Sequence, residues 1–171
     1  MRRIAPMVVA VVAAMLLAAS VSAQVTRLIW PLVPRPAVVR AFDAPRPDWQ
    51  RGHRGVDLAG APGQPVRAAA SGTVVFAGEL ANRPVVSVAH PGGLRTSYEP
   101  VAPAVRAGQR VAAGAVLGHL QPGHGGCAAP CLHWGAMWGP ASRADYVDPL
   151  GLLADTPIRL KPLHGGLLSK P

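Results

Sequence analysis

The chain has 171 residues, 19 glycines, 19 prolines and a formal charge of +9. That length suits one domain, and so much glycine and proline excludes a helical bundle. The positive charge favours a polyanion, but the arginines are scattered, with no basic helix and few aromatics between them to stack bases, so no nucleic-acid partner is expected.

At the N-terminus, Arg2 and Arg3 precede an unbroken apolar run over residues 7–19, and Val21-Ser22-Ala23 supplies small residues at cleavage positions. This pattern predicts a secretory signal peptide over residues 1–23. The run falls short of the roughly 20 apolar residues that a permanent membrane span requires, and no other stretch approaches that length. Loss of Arg2 and Arg3 lowers the formal charge to +7. The mature chain, from Gln24, is expected to be exported and soluble, with the cell envelope as its nearest polyanion.

Short apolar runs bounded by Gly, Pro or Asn then recur at residues 65–70, 72–77, 84–89, 94–98, 110–111, 115–120 and 132–137. Each has strand length, and almost no stretch shows the i, i+3, i+4 spacing of a surface helix. Turn signals between them at Ser71-Gly72, Ala81-Asn82, Pro91-Gly92-Gly93 and Ala113-Gly114 suit hairpins. The fold class expected is all-β, with a single antiparallel β-sheet core domain over residues 24–154 and a disordered or loosely docked tail over residues 155–171.

Two stretches carry chemistry. In Gly52-His53-Arg54-Gly55-Val56-Asp57-Leu58, glycine and the nearby prolines disfavour a helix, and on a straight strand positions four apart lie about 13 Å from one another, too far to share an ion. A bend at Gly55, which can adopt positive φ, would bring His53 and Asp57 together. The second stretch, Cys127-Ala-Ala-Pro-Cys131-Leu132-His133-Trp134, holds the only cysteines of the chain. His53, Asp57 and His133 form a set of three N and O donors, the number that a catalytic zinc site uses while leaving one position open.

These motifs resemble those of the lysostaphin and LytM-type zinc metallopeptidases, which cut peptide cross-bridges in bacterial peptidoglycan. Their HxGxD motif is matched by His53-Arg54-Gly55-Val56-Asp57, and their His-Leu-His motif in part by Cys131-Leu132-His133. Their glycine-punctuated core is similar to residues 63–66, 70–74, 94–98 and 108–114. The resemblance implies zinc held by His53, Asp57 and His133, a narrow groove over the metal, and peptidoglycan as the partner. It also exposes a departure. Where the family carries two catalytic histidines, this chain has Cys131 and Pro100, so it is identified as a divergent member.

On a strand, Cys131 and His133 share a face. Cys131 could therefore be a fourth zinc ligand, a free catalytic thiol, or half of a disulfide with Cys127. The oxidising compartment and the even count favour the disulfide. Other side chains would then move protons, the candidates being His124, in the glycine-rich loop before the cysteines, and Glu99, on the strand face opposite Tyr98. Two functions follow as expectations: an exported zinc metalloendopeptidase acting on the cell wall, or a catalytically degenerate relative that binds the wall or activates another hydrolase.

Overall fold

The computed structural model describes residues 26–44, 50–140 and 143–154. The expected signal peptide and C-terminal tail lie outside the described residues. Eleven strands are present among them: β1 (Val38–Arg40), β2 (Val56–Ala59), β3 (Pro65–Arg67), β4 (Gly72–Leu80), β5 (Arg83–Ala89), β6 (Leu94–Glu99), β7 (Val101–Pro103), β8 (Arg110–Val111), β9 (Val116–Leu120), β10 (Cys131–Trp138) and β11 (Asp145–Val147). They form a large sheet in the order β1-β2-β10-β6-β5-β4-β8, with β11 also on β10, and a small sheet in the order β3-β9-β7. All the strand pairs are antiparallel. The all-β class expected from the sequence is what the chain adopts, its strands shared between two sheets.

Local chemistry explains the joints. The β4–β5 hairpin closes from Leu80 to Arg83 through Ala81 and Asn82, at φ of 51° and 62°. Positive φ at both central positions is the primed turn whose twist matches flanking strands. The turn before β6 uses Gly92 and Gly93 at φ of 80° and 90°, a region that glycine enters without steric cost.

Four strands were not foreseen. The sequence of β2 is Val-Asp-Leu-Ala, and its buried Asp57 breaks the apolar run; β1 is exposed along its length; β7 ends in proline; and β11 has no buried residue. None shows the patterning of a half-buried strand.

Alternation along β6 sorts the two faces of the large sheet. Leu94, Thr96 and Tyr98 are buried, whereas Arg95, Ser97 and Glu99 lie on the partly open face. In β10, Leu132, Trp134 and Ala136 join the core, which also draws Val66, Val101, Leu117 and Leu120 from the small sheet. One face of the large sheet is therefore core, and the other is free to build a site.

A chain of hydrogen bonds crosses this core. The N–H of Ala69 donates to the Tyr98 hydroxyl at 2.9 Å, Tyr98 and Thr96 are 2.9 Å apart, Thr96 lies 2.8 Å from His90 Nε2, and His90 Nδ1 lies 3.0 Å from the Ser71 carbonyl. The carbonyl can only accept, so Nδ1 donates to it. In the neutral ring Nε2 accepts from Thr96, Thr96 from Tyr98, and Tyr98 from Ala69, so every hydroxyl proton of the chain has an acceptor; a protonated ring would donate to Thr96 and leave one hydroxyl proton without one. Burial accordingly lowers the pKa of His90, against a smaller opposing effect of the Ser71 carbonyl, and pushes the Tyr98 phenol up to about 12.

The unfolded chain thus takes up a proton at His90 near pH 6.5 that the folded chain refuses. Stability conferred by neutral His90 is complete above that pH and is lost as pH falls below it, by at most about 1.4 kcal/mol per pH unit for one group. His90→Gln, which keeps a donor and an acceptor without titrating, is expected to flatten this part of the pH dependence in urea titrations between pH 5 and 7.

Candidate metal centre

Three adjacent strands contribute one row of side chains across the open face. In register, Asp57 of β2 stands opposite His133 of β10, and His133 stands opposite Glu99 of β6. Opposed residues in neighbouring strands point to the same face. His53 precedes β2, its backbone bridged to Asp43, and the bend at Arg54 and Gly55 returns its ring over Asp57.

Gly55 achieves this differently from the sequence expectation. Its φ is not among the positive values of the chain. What it supplies is space: a Cβ there would meet the Trp134 carbonyl oxygen at 2.6 Å and His133 Nε2 at 2.7 Å. Absence of a side chain lets the bend lie directly on β10.

The three donor atoms make a nearly equilateral triangle. His53 Nε2 is 2.9 Å from Asp57 Oδ1 and 3.0 Å from His133 Nδ1, and His133 Nδ1 is 2.9 Å from the same Oδ1. The Ala41 carbonyl lies 2.7 Å from His53 Nδ1 and must accept its proton. In neutral His53, Nε2 therefore turns a lone pair toward a carboxylate oxygen. Two facing acceptors repel unless a proton or a cation lies between them. Two imidazole nitrogens and one carboxylate oxygen are borderline donors suited to zinc, so this chain fits such an ion, and all three residues proposed from sequence are brought together.

Both secondary candidates reach the same place. His124 Nε2 lies 3.3 Å from Asp57 Oδ1 and its Nδ1 lies 3.6 Å from Glu99 Oε1, while its ring stacks on His133 at 5.2 Å between centroids. Its nitrogen, oxygen and carboxylate neighbours leave the side chain only 8% exposed. Glu99 does face away from Tyr98; because Tyr98 faces the core, that direction leads into the site rather than outward to solvent. Arg83, which the sequence did not single out, binds Glu99 at 2.8 Å.

Charge follows from these contacts. Burial favours protonation of Asp57, but the His124, His133 and His53 rings more than offset it and hold its carboxyl well below the usual carboxylate range. Glu99 is likewise raised by burial and lowered further by His124 and Arg83. The two carboxylates push His124 up to about 9, against burial. In the ion-free protein His124 is thus a cation beside two anions; a dication among the ligands would repel its proton.

The cysteines are joined to each other, Cys127 to Cys131. Of the three possibilities left open by sequence, the structure contains the disulfide, and no free cysteine is present. Cys127 Sγ approaches Asp57 Oδ2 at 3.6 Å, but a disulfide sulfur is neither a thiolate ligand nor a proton donor. The bond fixes the end of the loop that carries His124.

Beside the triangle opens a groove of about 540 Å³, lined by His133 and Glu99 at one end and by Arg95, Met137, Phe76 and Tyr146 further along. The groove arginines were missed in the sequence. Alternation from Glu99 places Arg95 on its face, and that signal was available.

A model of peptidase family M23 matches residues 51–149. The uncharacterized protein Rv2891 of Mycobacterium tuberculosis is 72% identical over 147 residues, covering 85% of this chain and 59% of that protein; its counterpart in Mycobacterium bovis, Mb2915, has the same values. This chain thus spans about three fifths of the length of the curated relatives it matches. Among solved structures, the antimicrobial peptidase lysostaphin from Staphylococcus simulans is similar with a TM-score of 0.59 at 25% identity, over 73% of this chain and 53% of that one. Csd3 of Helicobacter pylori shares the fold with a TM-score of 0.63 at 24% identity, over 80% of this chain and 37% of that one.

Gly55→Ala forces a backbone oxygen and the His133 ring to move. It is expected to lower the unfolding free energy by about 1–3 kcal/mol, as overpacking does, and to displace the His133 ring resonances in NMR spectra. Unchanged stability and unchanged ring shifts would show that the close approach carries no constraint.

Proposed function

The chain belongs to peptidase family M23, and on that premise we propose that it is an exported, zinc-dependent endopeptidase that hydrolyses peptide bonds in peptidoglycan. The observation carrying the proposal is the convergence of His53 Nε2, Asp57 Oδ1 and His133 Nδ1 within 3.0 Å at the end of an open groove. Supporting export are the pattern of residues 1–23 and the disulfide, which suits an oxidising compartment. Residues 24–154 are the core domain in this reading and residues 155–171 a tail. Among the described residues no helix is long and apolar enough to cross a membrane.

His53, Asp57 and His133 would hold the ion. Bound zinc supplies Lewis acidity toward a carbonyl oxygen and lowers the pKa of water. The chain supplies the proton path. His124 presents Nε2 to the ligand triangle and Nδ1 to Glu99. With a proton on Nδ1 toward Glu99 and Nε2 free, it can take a proton from the water whose oxygen bonds to the carbonyl carbon, and then deliver that proton from Nε2 to the leaving nitrogen as the C–N bond breaks. Glu99, held by Arg83, stabilises the cationic ring. His124 thus stands in for the histidines missing at positions 100 and 131.

A second reading keeps one specific support. Pro100 has no ionisable group and Cys131 is tied up in a disulfide, so neither familiar proton-transfer position is functional. A wall-binding relative that does not cut would account for that. The retained donor triangle favours the enzyme.

Purified mature protein is expected to bind one zinc per chain, as measured by elemental analysis, and His133→Ala to lose it. Soluble-fragment release from purified peptidoglycan should require zinc and should fall at least tenfold in His124→Ala, within the roughly 10²–10⁴-fold that general acid–base assistance contributes, with zinc content retained. Wall binding in a pull-down without any release would support the second reading instead. Full release by His124→Ala would remove that residue from the proton path.

A further inference from the structure

The groove beside the donor triangle carries different side chains at its two ends. Along β6 the open face reads Glu99, Ser97, Arg95, and across β10 these stand opposite His133, Gly135 and Met137. Gly135 keeps the floor clear, since a Cβ there would meet Ser97 Oγ at 2.6 Å. From the Glu99–His133 pair to the Arg95–Met137 pair is four residues of strand, about 13 Å at ~3.3 Å per residue. An extended peptide lying in the groove would therefore have one end at the ligand triangle and its other end at Arg95.

Arg95 differs from the other cations around the groove. Arg83 is paired with Glu99 at 2.8 Å, and Arg54 donates to the Gln50 carbonyl at 3.0 Å with its guanidinium 5.7 Å from the Tyr146 ring centroid. The Nε of Arg95 is buried and has no hydrogen-bond partner. A buried arginine donor without an acceptor is unfavourable in the empty groove, and that cost is relieved when a ligand brings an oxygen to it. Glu99 at the opposite end already faces Arg83 and His124, which leaves the Arg95 Nε as an unsatisfied donor on the groove.

Resting on the endopeptidase reading for the identity of the ligand as a peptide, we propose that Arg95 is a specificity-determining residue that recognises a free carboxylate on the substrate, about four residues of extended chain from the bond that is cut. The substrate class is then an anionic peptide rather than a plain glycine chain. Arg95 presents the fixed guanidinium fork that pairs with a carboxylate through two parallel hydrogen bonds. The exposed apolar side chains of Val75 and Leu80 along the same groove provide a surface for the aliphatic part of such a peptide.

The test reads binding, not turnover. Acetylated pentaglycine amides with one glutamate at each position in turn, and their glutamine counterparts, are titrated by calorimetry into zinc-loaded protein in the cold. At least one glutamate peptide should bind about tenfold or more tightly than its glutamine counterpart, with the difference shrinking in 0.5 M salt. Arg95→Gln should abolish the preference, and Arg95→Lys should keep part of it. Equal binding of all glutamate and glutamine pairs, no measurable binding of any glutamate peptide, or a preference that survives Arg95→Gln would overturn the proposal. A preference for glutamate in a protein that releases nothing from peptidoglycan would overturn the endopeptidase reading and leave this one standing; release without the preference would do the reverse.

Discussion

A β-sheet offers each side chain one of two faces, so the register in which His133 pairs with both neighbours determines what its open face can do. Asp57 on one side and Glu99 on the other stand opposite His133. Slipping β10 by one residue would turn His133 into the core and bring Trp134, fully buried here, onto the groove side. The register is held from the core: Leu132, Trp134 and Ala136 are buried between the sheets. The donor row is thus the other half of an apolar pattern, and loss of the packing would dissolve the site before any ligand residue were changed.

Around that row the chain places groups that cannot all be content without a cation. The Ala41 carbonyl takes the Nδ1 proton of His53, so in the neutral ring Nε2 would meet Asp57 Oδ1 lone pair to lone pair. In the ion-free protein His124 supplies the missing positive charge by holding its proton up to about pH 9. A metal ion bound by His53, Asp57 and His133 would compete with that proton for the same anionic pair. A metal ion held there would thus be linked to the protonation of His124, with no motion of the sheet required.

Much of this was legible in the sequence, and the exceptions have physical reasons. Seven strands announced themselves as apolar runs between turn residues, whereas β2 did not, because its middle residue, Asp57, is a buried carboxylate serving the site. His53, Asp57 and His133 were singled out by donor chemistry and by resemblance to known motifs, and the structure brings them together. The role of Gly55 was misjudged: sequence shows that glycine is permissive in φ, but only the folded chain shows that the Trp134 carbonyl and His133 ring leave no room for a Cβ. His124 and Glu99 were visible as candidates, yet their meeting depends on a loop between Leu120 and Cys131 whose path is set by the disulfide and by tertiary contacts. The direction of Glu99 followed from alternation only once Tyr98 was known to face the core.

X-ray absorption at the zinc edge of the metal-loaded mature protein tests the proposed ligand set most directly. The spectrum should require only nitrogen and oxygen scatterers at about 2.0–2.2 Å, with the multiple-scattering signature of two imidazoles, those of His53 and His133. A sulfur shell at about 2.3 Å would mean that the Cys127–Cys131 bond opens to ligate the ion. A third imidazole would make His124 a ligand rather than the proton carrier, and either result would contradict the assignment.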